Sequence, residues 1–189
     1  DGATVCGLAL VAGFSSLLCE VAWFRLMVLI LGGSAYAFSL MLLSFLVGIG
    51  LGGWAGGGLA DRAFSKNGHA GTLRLLCGLQ LGVAGLAYGA MYLYGELPFF
   101  FVQVYTAVES SPALIWPAKL LISLGLMVPP ALMMGASFPV LVRSVANSDA
   151  LGDPVGRLYG WNTVGAIVGA AGGGLFLLPT LGVRGSVLF

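Results

Sequence analysis

Long apolar runs separated by short polar joints dominate the chain. A membrane-spanning helix needs roughly 20 apolar residues, because every backbone amide in lipid must be paired within the segment. Runs of that kind predict five membrane helices and the start of a sixth, at about 4–31, 35–60, 72–94, 113–133, 156–178 and 183–189. The pattern predicts an all-α, polytopic transmembrane helix bundle, with residues 1–189 forming a single domain.

Glycine and proline mark the joints. Ser34 follows Gly32-Gly33 and is predicted to cap the second helix. Pro129 and Pro130 each remove an amide donor from the fourth helix, so residues 134–147 are expected to form a kinked extension.

The segment 98–108 begins with Pro98 and three phenylalanines and is too short to span a bilayer. Aromatic rings favour headgroup depth. The segment is therefore either an interfacial helix or a cap over the bundle.

Glycines recur every four residues in the second and fifth helices. Helices in lipid associate through small residues that let backbones approach closely. The predicted packing residues on these two helices are Gly48, Gly52, Gly56, Gly165, Gly169 and Gly173. The match between the two helices indicates an internal three-helix repeat of the kind found in many transporters.

Composition agrees with a lipid environment, since 59% of the residues are hydrophobic and only 8% are charged. A formal net charge of +1 provides no basic surface for nucleic acid. The expected partners are the lipid bilayer and other membrane helices, in a homo-oligomer or a larger complex.

The distribution of basic residues predicts the orientation. Arg62, Lys66 and Arg74 flank the second joint, and Arg143 and Arg157 flank the fourth, whereas the opposite side holds three basic residues. Basic loops stay cytoplasmic. We expect a cytoplasmic N-terminus in a bacterial-type inner membrane.

Polar residues within the apolar runs are the candidates for function, because charges at membrane depth cost several kcal/mol unless they are paired or hydrated. Glu20 and Arg25 lie about 140° apart on one helix and do not face each other. Glu20 either forms an inter-helix ion pair or belongs to a proton or substrate site, while Arg25 extends to the interface. Asn162 either bonds across helices or contacts a ligand.

Asp61 and Arg62 stand where the second helix ends, which predicts a clasp onto neighbouring helix termini at the cytoplasmic face. The chain has one histidine, His69, which cannot form a histidine metal cluster or a catalytic triad by itself and is assigned no role. No catalytic, cofactor or metal site is predicted.

Several segments together resemble the membrane domain of the membrane-bound spermidine synthase-like proteins. They are CEVAWFRL at 19–26, SAYAF at 34–38, GLADR at 58–62, PPALMMGASFP at 129–139 and GRLYGWNTVGA at 156–166. Cys19 departs from the pattern, in which an aromatic residue is usual. The GLADR segment also resembles the cytoplasmic loop motif of the major facilitator transporters, although only Lys66 follows it as a basic tail. This second resemblance implies a transporter-like half.

The family resemblance implies a helical half fused to a cytoplasmic aminopropyltransferase domain, which transfers a propylamine group from decarboxylated S-adenosylmethionine to putrescine. The sequence has no strand-rich segment, glycine-rich nucleotide loop or acidic pair for a diamine, so no catalytic residue carries over. The first residue is Asp and the last run has just begun, which indicates a piece of a longer chain.

Three functions remain open from the sequence. The first is a non-catalytic anchor that is also a conduit or sensor for a polyamine-type molecule. The second is an accessory subunit of a larger membrane complex, and the third is a dimerising half-transporter.

Overall fold

The structure, a computed structural model, describes residues 2–108, 112–145, 152–177 and 179–180, and they are helical apart from the joint at 32–34. The elements are α1 (Gly2–Leu31), α2 (Ala35–Val108), α3 (Pro112–Val145), α4 (Gly152–Gly172) and a π-helical turn (Gly173–Leu177). The predicted all-α fold is confirmed. The predicted sixth helix, 183–189, lies outside the described residues.

Helix α2 consists of two arms. Its backbone leaves helical geometry at Asn67 and Gly68, where Gly68 has a φ of +58° that favours glycine. We call 35–66 the first arm and 69–108 the second arm. The joint expected over 61–71 is therefore helical except at this two-residue turn.

Three helical segments are long and apolar enough to cross a membrane: Ala3–Leu29, Ala35–Ala90 and Ala113–Val145. Large apolar side chains cover the outside, and Trp54 is 84% exposed. Such a surface suits lipid contact, which supports a membrane location. Helix α4 is not among the three segments.

The third predicted helix does not end at 94. The second arm continues through Pro98 to Val108, so the segment 98–108 is the last part of this arm and not a separate element. A helix that stops leaves four carbonyls unpaired, whereas one that crosses a proline loses a single hydrogen bond. In an apolar run, continuing the helix across a proline therefore costs less free energy than ending it.

Helix α3 likewise runs unbroken from Pro112 to Val145 with four prolines inside it. The extension expected over 134–147 is, as far as Val145, part of this helix, which keeps its remaining hydrogen bonds across Pro129 and Pro130, and residues 146–147 lie outside the described residues. The N-cap predicted for Ser34 is confirmed, because its Oγ accepts a hydrogen bond from the Ala37 amide at 3.2 Å.

The first arm packs on α3 through its glycines. A Cβ on Gly52 would collide with the backbone of Leu132, and one on Gly48 or Gly56 would collide with the neighbouring turns of α3 around Ala131 and Ala136. The contacted residue numbers rise together on both helices, so these two segments run parallel.

Helix α4 and the π-helical turn pack on α1 in the same way. Gly165 contacts Leu10, Gly169 contacts Phe14, and Gly173 contacts Leu18. In return, Gly13 lies against the backbone carbonyl of Asn162. These helices also run parallel, with backbones in direct contact.

The contacting residues recur at the same sequence spacing in the two interfaces. The glycines of the second interface stand 117 residues after Gly48, Gly52 and Gly56. The residues they meet on α1 stand 118 residues before Val128, Leu132 and Ala136 on α3. Because the offset is nearly constant, α1 corresponds to α3, and the first arm corresponds to α4 with the π-helical turn.

Apolar side chains fill the space between the pairs in two clusters. One lies nearer the joint at 32–34 and includes Leu31, Ala37 and Met127. The other lies nearer the turn at 67–68 and includes Ala9, Leu141 and Leu158.

We expect Gly52→Ala to lower the free energy of unfolding by about 1–3 kcal/mol, because the added methyl group meets the backbone of Leu132, which cannot give way. Thermal or denaturant unfolding in detergent micelles measures the loss. Gly50→Ala on the same arm is the matched control, since a Cβ there meets nothing within 4 Å. Equal losses in the two variants would contradict backbone contact at Gly52.

We expect Ser123→Ala to raise stability by about 1 kcal/mol, because the Ser123 hydroxyl is fully buried and makes no hydrogen bond. The equally buried Ser44 donates to the Leu40 carbonyl at 2.8 Å, so Ser44→Ala should be neutral or destabilising. Unfolding of both variants under one condition gives the comparison, and a loss of stability in Ser123→Ala would be the contrary result.

Candidate functional site

A cavity of about 390 Å³ lies between the two parallel helix pairs. All four helices contribute to its wall, and Ser16, Ser137 and Asn162 are its uncharged polar side chains. The rings of Phe45 and Phe138 also line it. We call this space the central cavity.

Two of its polar side chains have no hydrogen-bond partner among the described residues. Ser137 Oγ donates to the Met133 carbonyl at 2.9 Å and is satisfied within α3. Ser16 and the Asn162 amide make no hydrogen bond to any described residue. A partly buried polar group without a hydrogen-bond partner costs free energy. A ligand that forms hydrogen bonds with these two groups would remove that cost and bind more tightly.

Glu20 lies one helical turn beyond Ser16 on α1. It lines a small space of about 10 Å³ whose wall shares Phe45 and Met134 with the central cavity. That space is about large enough for one water molecule. Glu20 is half-buried, and no described Lys, Arg or His forms an ion pair with it. The inter-helix ion pair considered from the sequence is therefore not formed with any described cation.

The structure does not bring Arg25 to this site. Arg25 is exposed, whereas Glu20 and Asn162 both lie at the centre of the bundle. Of the three intramembrane polar residues singled out in the sequence, Asn162 lines the central cavity and Glu20 lines the small space beside it. The third faces the surroundings, where a long side chain can extend to the interface.

A polar cluster joins the turn at 67–68 to the end of α3. Arg143 Nε lies 2.9 Å from Asp61 Oδ1, an ion-pair distance, although the N–H does not point at an acceptor well enough for a hydrogen bond. The Arg143 guanidinium also stacks over Phe64 at 4.0 Å. The structure thus places Asp61 against the last turn of α3, while Arg62 is exposed and makes no ion pair among the described residues.

His69 belongs to this cluster and was missed by the sequence analysis. Its Nδ1 lies 2.9 Å from the carbonyl oxygen of Ser144, and its ring meets Phe64 edge-on at 5.3 Å. A protonated nitrogen there pairs with one of the carbonyls that a helix end leaves free. The sequence signal that could have indicated this contact is the Asn67-Gly68 turn, because it places His69 at the end of a helix.

Lys119 closes the opposite end of the bundle. Its Nζ donates to the Leu31 carbonyl at 3.0 Å and lies 5.3 Å from the Trp116 ring centre. A cation beside the last carbonyl of α1 interacts favourably with the negative end of the helix dipole. Lys119 thus makes a specific contact between α3 and α1.

Compared with known proteins, the chain matches no protein-family model, no curated protein and no solved structure. The assignment of a function therefore rests on the arrangement of the side chains described above.

We expect a double-mutant cycle of Asp61→Asn and Arg143→Gln to give a coupling of about 0–1 kcal/mol that weakens as salt is added, because both side chains are partly exposed. Unfolding at low and high ionic strength measures it. Arg62→Gln paired with Asp61→Asn is the control and should show no coupling. Equal coupling in both cycles would exclude a specific contact with Arg143.

Proposed function

We propose that this chain is the membrane domain of a spermidine synthase-like protein and that it binds a small organic cation of the polyamine type in the central cavity. The observation that carries the proposal is the half-buried carboxylate of Glu20, which has no described protein cation and adjoins a cavity with two unpaired polar side chains. In this proposal the chain anchors the protein in the membrane and delivers the organic cation, and none of its residues is catalytic.

The charge of the ligand follows from Glu20. An ionised carboxylate at membrane depth is stable only when paired or hydrated, and an ammonium group supplies a pair. The rings of Phe45 and Phe138 favour the same kind of ligand, because aromatic faces attract organic cations. The oxygens of Ser16 and Asn162 accept hydrogen bonds from an amine.

The size of the cavity fits the same class. About 390 Å³ lies at the small end of the range of roughly 300–1,000 Å³ for small-molecule sites. A flexible diamine or triamine fits a space of this volume, whereas a nucleotide needs a larger one.

The two related helix pairs support a conduit. Repeats of opposite orientation in transporters place the binding site near the middle of the membrane, at the interface between the repeats. The central cavity lies between the two pairs that share the 117–118-residue offset. The proposed chain is thus a transporter-like half with its site between its repeats.

We expect Glu20→Gln to weaken binding of labelled spermidine or putrescine at least tenfold, because the substitution keeps the size and removes the charge. Purified protein in lipid nanodiscs, titrated by a scintillation proximity or calorimetric assay, gives the affinity. Asn162→Ala should give a smaller loss.

Glu96→Gln is the matched control, since this exposed carboxylate lies on the second arm away from the central cavity. Binding should be unchanged in that variant. Absence of binding by the parent protein, or equal losses in Glu20→Gln and Glu96→Gln, would remove the proposal.

An accessory-subunit role has one observation in its favour. On the second arm, a Cβ at Gly78, Gly85 or Gly89 would meet nothing within 4 Å, and Leu81 beside them is 73% exposed. A helix of another subunit fits such a surface. A stoichiometric partner that stays bound in mild detergent and is released by Gly85→Leu would favour this role, and a monodisperse monomer would count against it.

A further inference from the structure

We infer that a second cavity, at the end of the bundle near the turn at 67–68, binds the headgroup of a phospholipid that carries a primary ammonium group. In this site Arg157 holds the phosphate and Asp153 holds the ammonium. The cavity shares no lining residue with the central cavity, so the inference does not depend on the function proposed above.

The cavity has a volume of about 600 Å³, and all four helices contribute to its wall. Its apolar side chains include Val5, Leu73 and Leu158, and the charged side chains among its described lining residues are Asp153 and Arg157. The volume lies within the range of roughly 300–1,000 Å³ for small-molecule sites. An apolar wall beside charges of both signs fits an amphipathic, zwitterionic ligand.

Asp153 and Arg157 stand one helical turn apart on α4, a spacing at which an acid and a base can pair with each other. Here neither makes an ion pair or hydrogen bond with a described residue. A guanidinium donates two hydrogen bonds to one phosphate, and a carboxylate accepts hydrogen bonds from an ammonium. The two side chains therefore match a ligand whose opposite charges lie a few atoms apart, as in phosphoethanolamine.

His69 favours a primary ammonium over a quaternary one. Its Nδ1 lies 2.9 Å from the Ser144 carbonyl oxygen and must carry a proton to bond there, so Nε2 of the neutral ring is an acceptor. His69 and Ser144 both line the cavity. An ethanolamine ammonium has N–H groups to donate to Nε2 and to Asp153, whereas a choline group has none.

Exposed aromatic side chains indicate where the bilayer lies. Tyr36 and Trp116 pack together near the joint at 32–34, with ring centres 5.4 Å apart, and Trp54 is 84% exposed further along the first arm. Eighteen residues separate Tyr36 from Trp54, which corresponds to about 27 Å of α-helix and matches a hydrocarbon layer of about 30 Å. Aromatic rings concentrate at both edges of that layer.

The charged side chains of the cavity lie just outside the second of these edges. Trp161 is 44% exposed and marks that edge on α4, where the neighbouring Tyr159 ring contacts Phe138 of α3 at 6.0 Å. Arg157 precedes Trp161 by one turn and Asp153 precedes it by two, about 6 and 12 Å further out. The headgroup layer is roughly 5–8 Å thick, so a phosphate lies beside Arg157 and its ammonium can extend outward to Asp153.

The test is binding of phosphatidylethanolamine to the purified, delipidated protein, titrated and measured by native mass spectrometry. We expect Arg157→Gln and Asp153→Asn each to weaken binding at least tenfold. Exchanging the two residues, Asp153→Arg with Arg157→Asp, should weaken it as much, because the net charge is kept but the order of the charges across the headgroup layer is reversed.

Arg74→Gln is the matched control, since Arg74 is an exposed cation at the same end of the bundle and does not line the cavity. Its affinity should equal that of the parent protein. Thermal unfolding in detergent shows that each variant is folded. Undiminished binding in the exchanged variant, or equal losses in Arg74→Gln and Arg157→Gln, would overturn the inference.

The parent protein gives a second readout that needs no variant. Phosphatidylethanolamine should bind at least tenfold more tightly than phosphatidylcholine or phosphatidylglycerol, and equal affinities for the three lipids would overturn the inference. Soluble glycerophosphoethanolamine should compete at least tenfold more weakly than the lipid, because it lacks the chains that meet the apolar wall. Equally strong competition would assign the site to a free metabolite and overturn its assignment to a lipid.

Discussion

Helices inside lipid gain nothing by hiding apolar side chains from one another, so backbone-to-backbone contact must hold this bundle together. Gly52 and Gly169 occupy equivalent places in that scheme, each against the main chain of a parallel neighbour. The contact leaves no room for sideways adjustment at either interface. The central cavity lies between these two pairs, so their packing sets the positions of the residues on its wall.

The sequence was informative wherever a local rule decides the outcome. Glycines at every fourth position predicted packing faces, and Ser34 predicted a helix start. It was misleading at Pro98, because the rules for helix ends come from chains whose free carbonyls can turn to water. In an apolar run no such alternative exists, and the helix continues.

The candidate site was predicted only as separate residues. Glu20 and Asn162 were identifiable because each is polar within an apolar run. The position of Asn162 on the wall of the central cavity and of Glu20 on the adjoining small space depends on how α1, α3 and α4 pack, which no local pattern states. His69 does not stand out in this way, since an isolated histidine in a joint is ordinary, and only the neighbouring Asn67-Gly68 turn pointed to its place at a helix end. Its contact with Ser144 exists because a two-residue turn brings the start of the second arm beside the end of α3. The polar contacts of His69 and Lys119 connect helices at the two ends of the bundle, whereas Ser16 and Asn162, which have no hydrogen-bond partner among the described residues, lie between those ends.

The π-helical turn Gly173–Leu177 separates the two otherwise related halves. Its counterpart in the first arm, 56–60, is ordinary α-helix. A π turn holds one residue more than an α turn, so it delays the winding of the chain by about 100° for everything that follows. Among the described residues, the close correspondence of α4 with the first arm is therefore interrupted within Gly173–Leu177, after the last of the three matched glycine contacts.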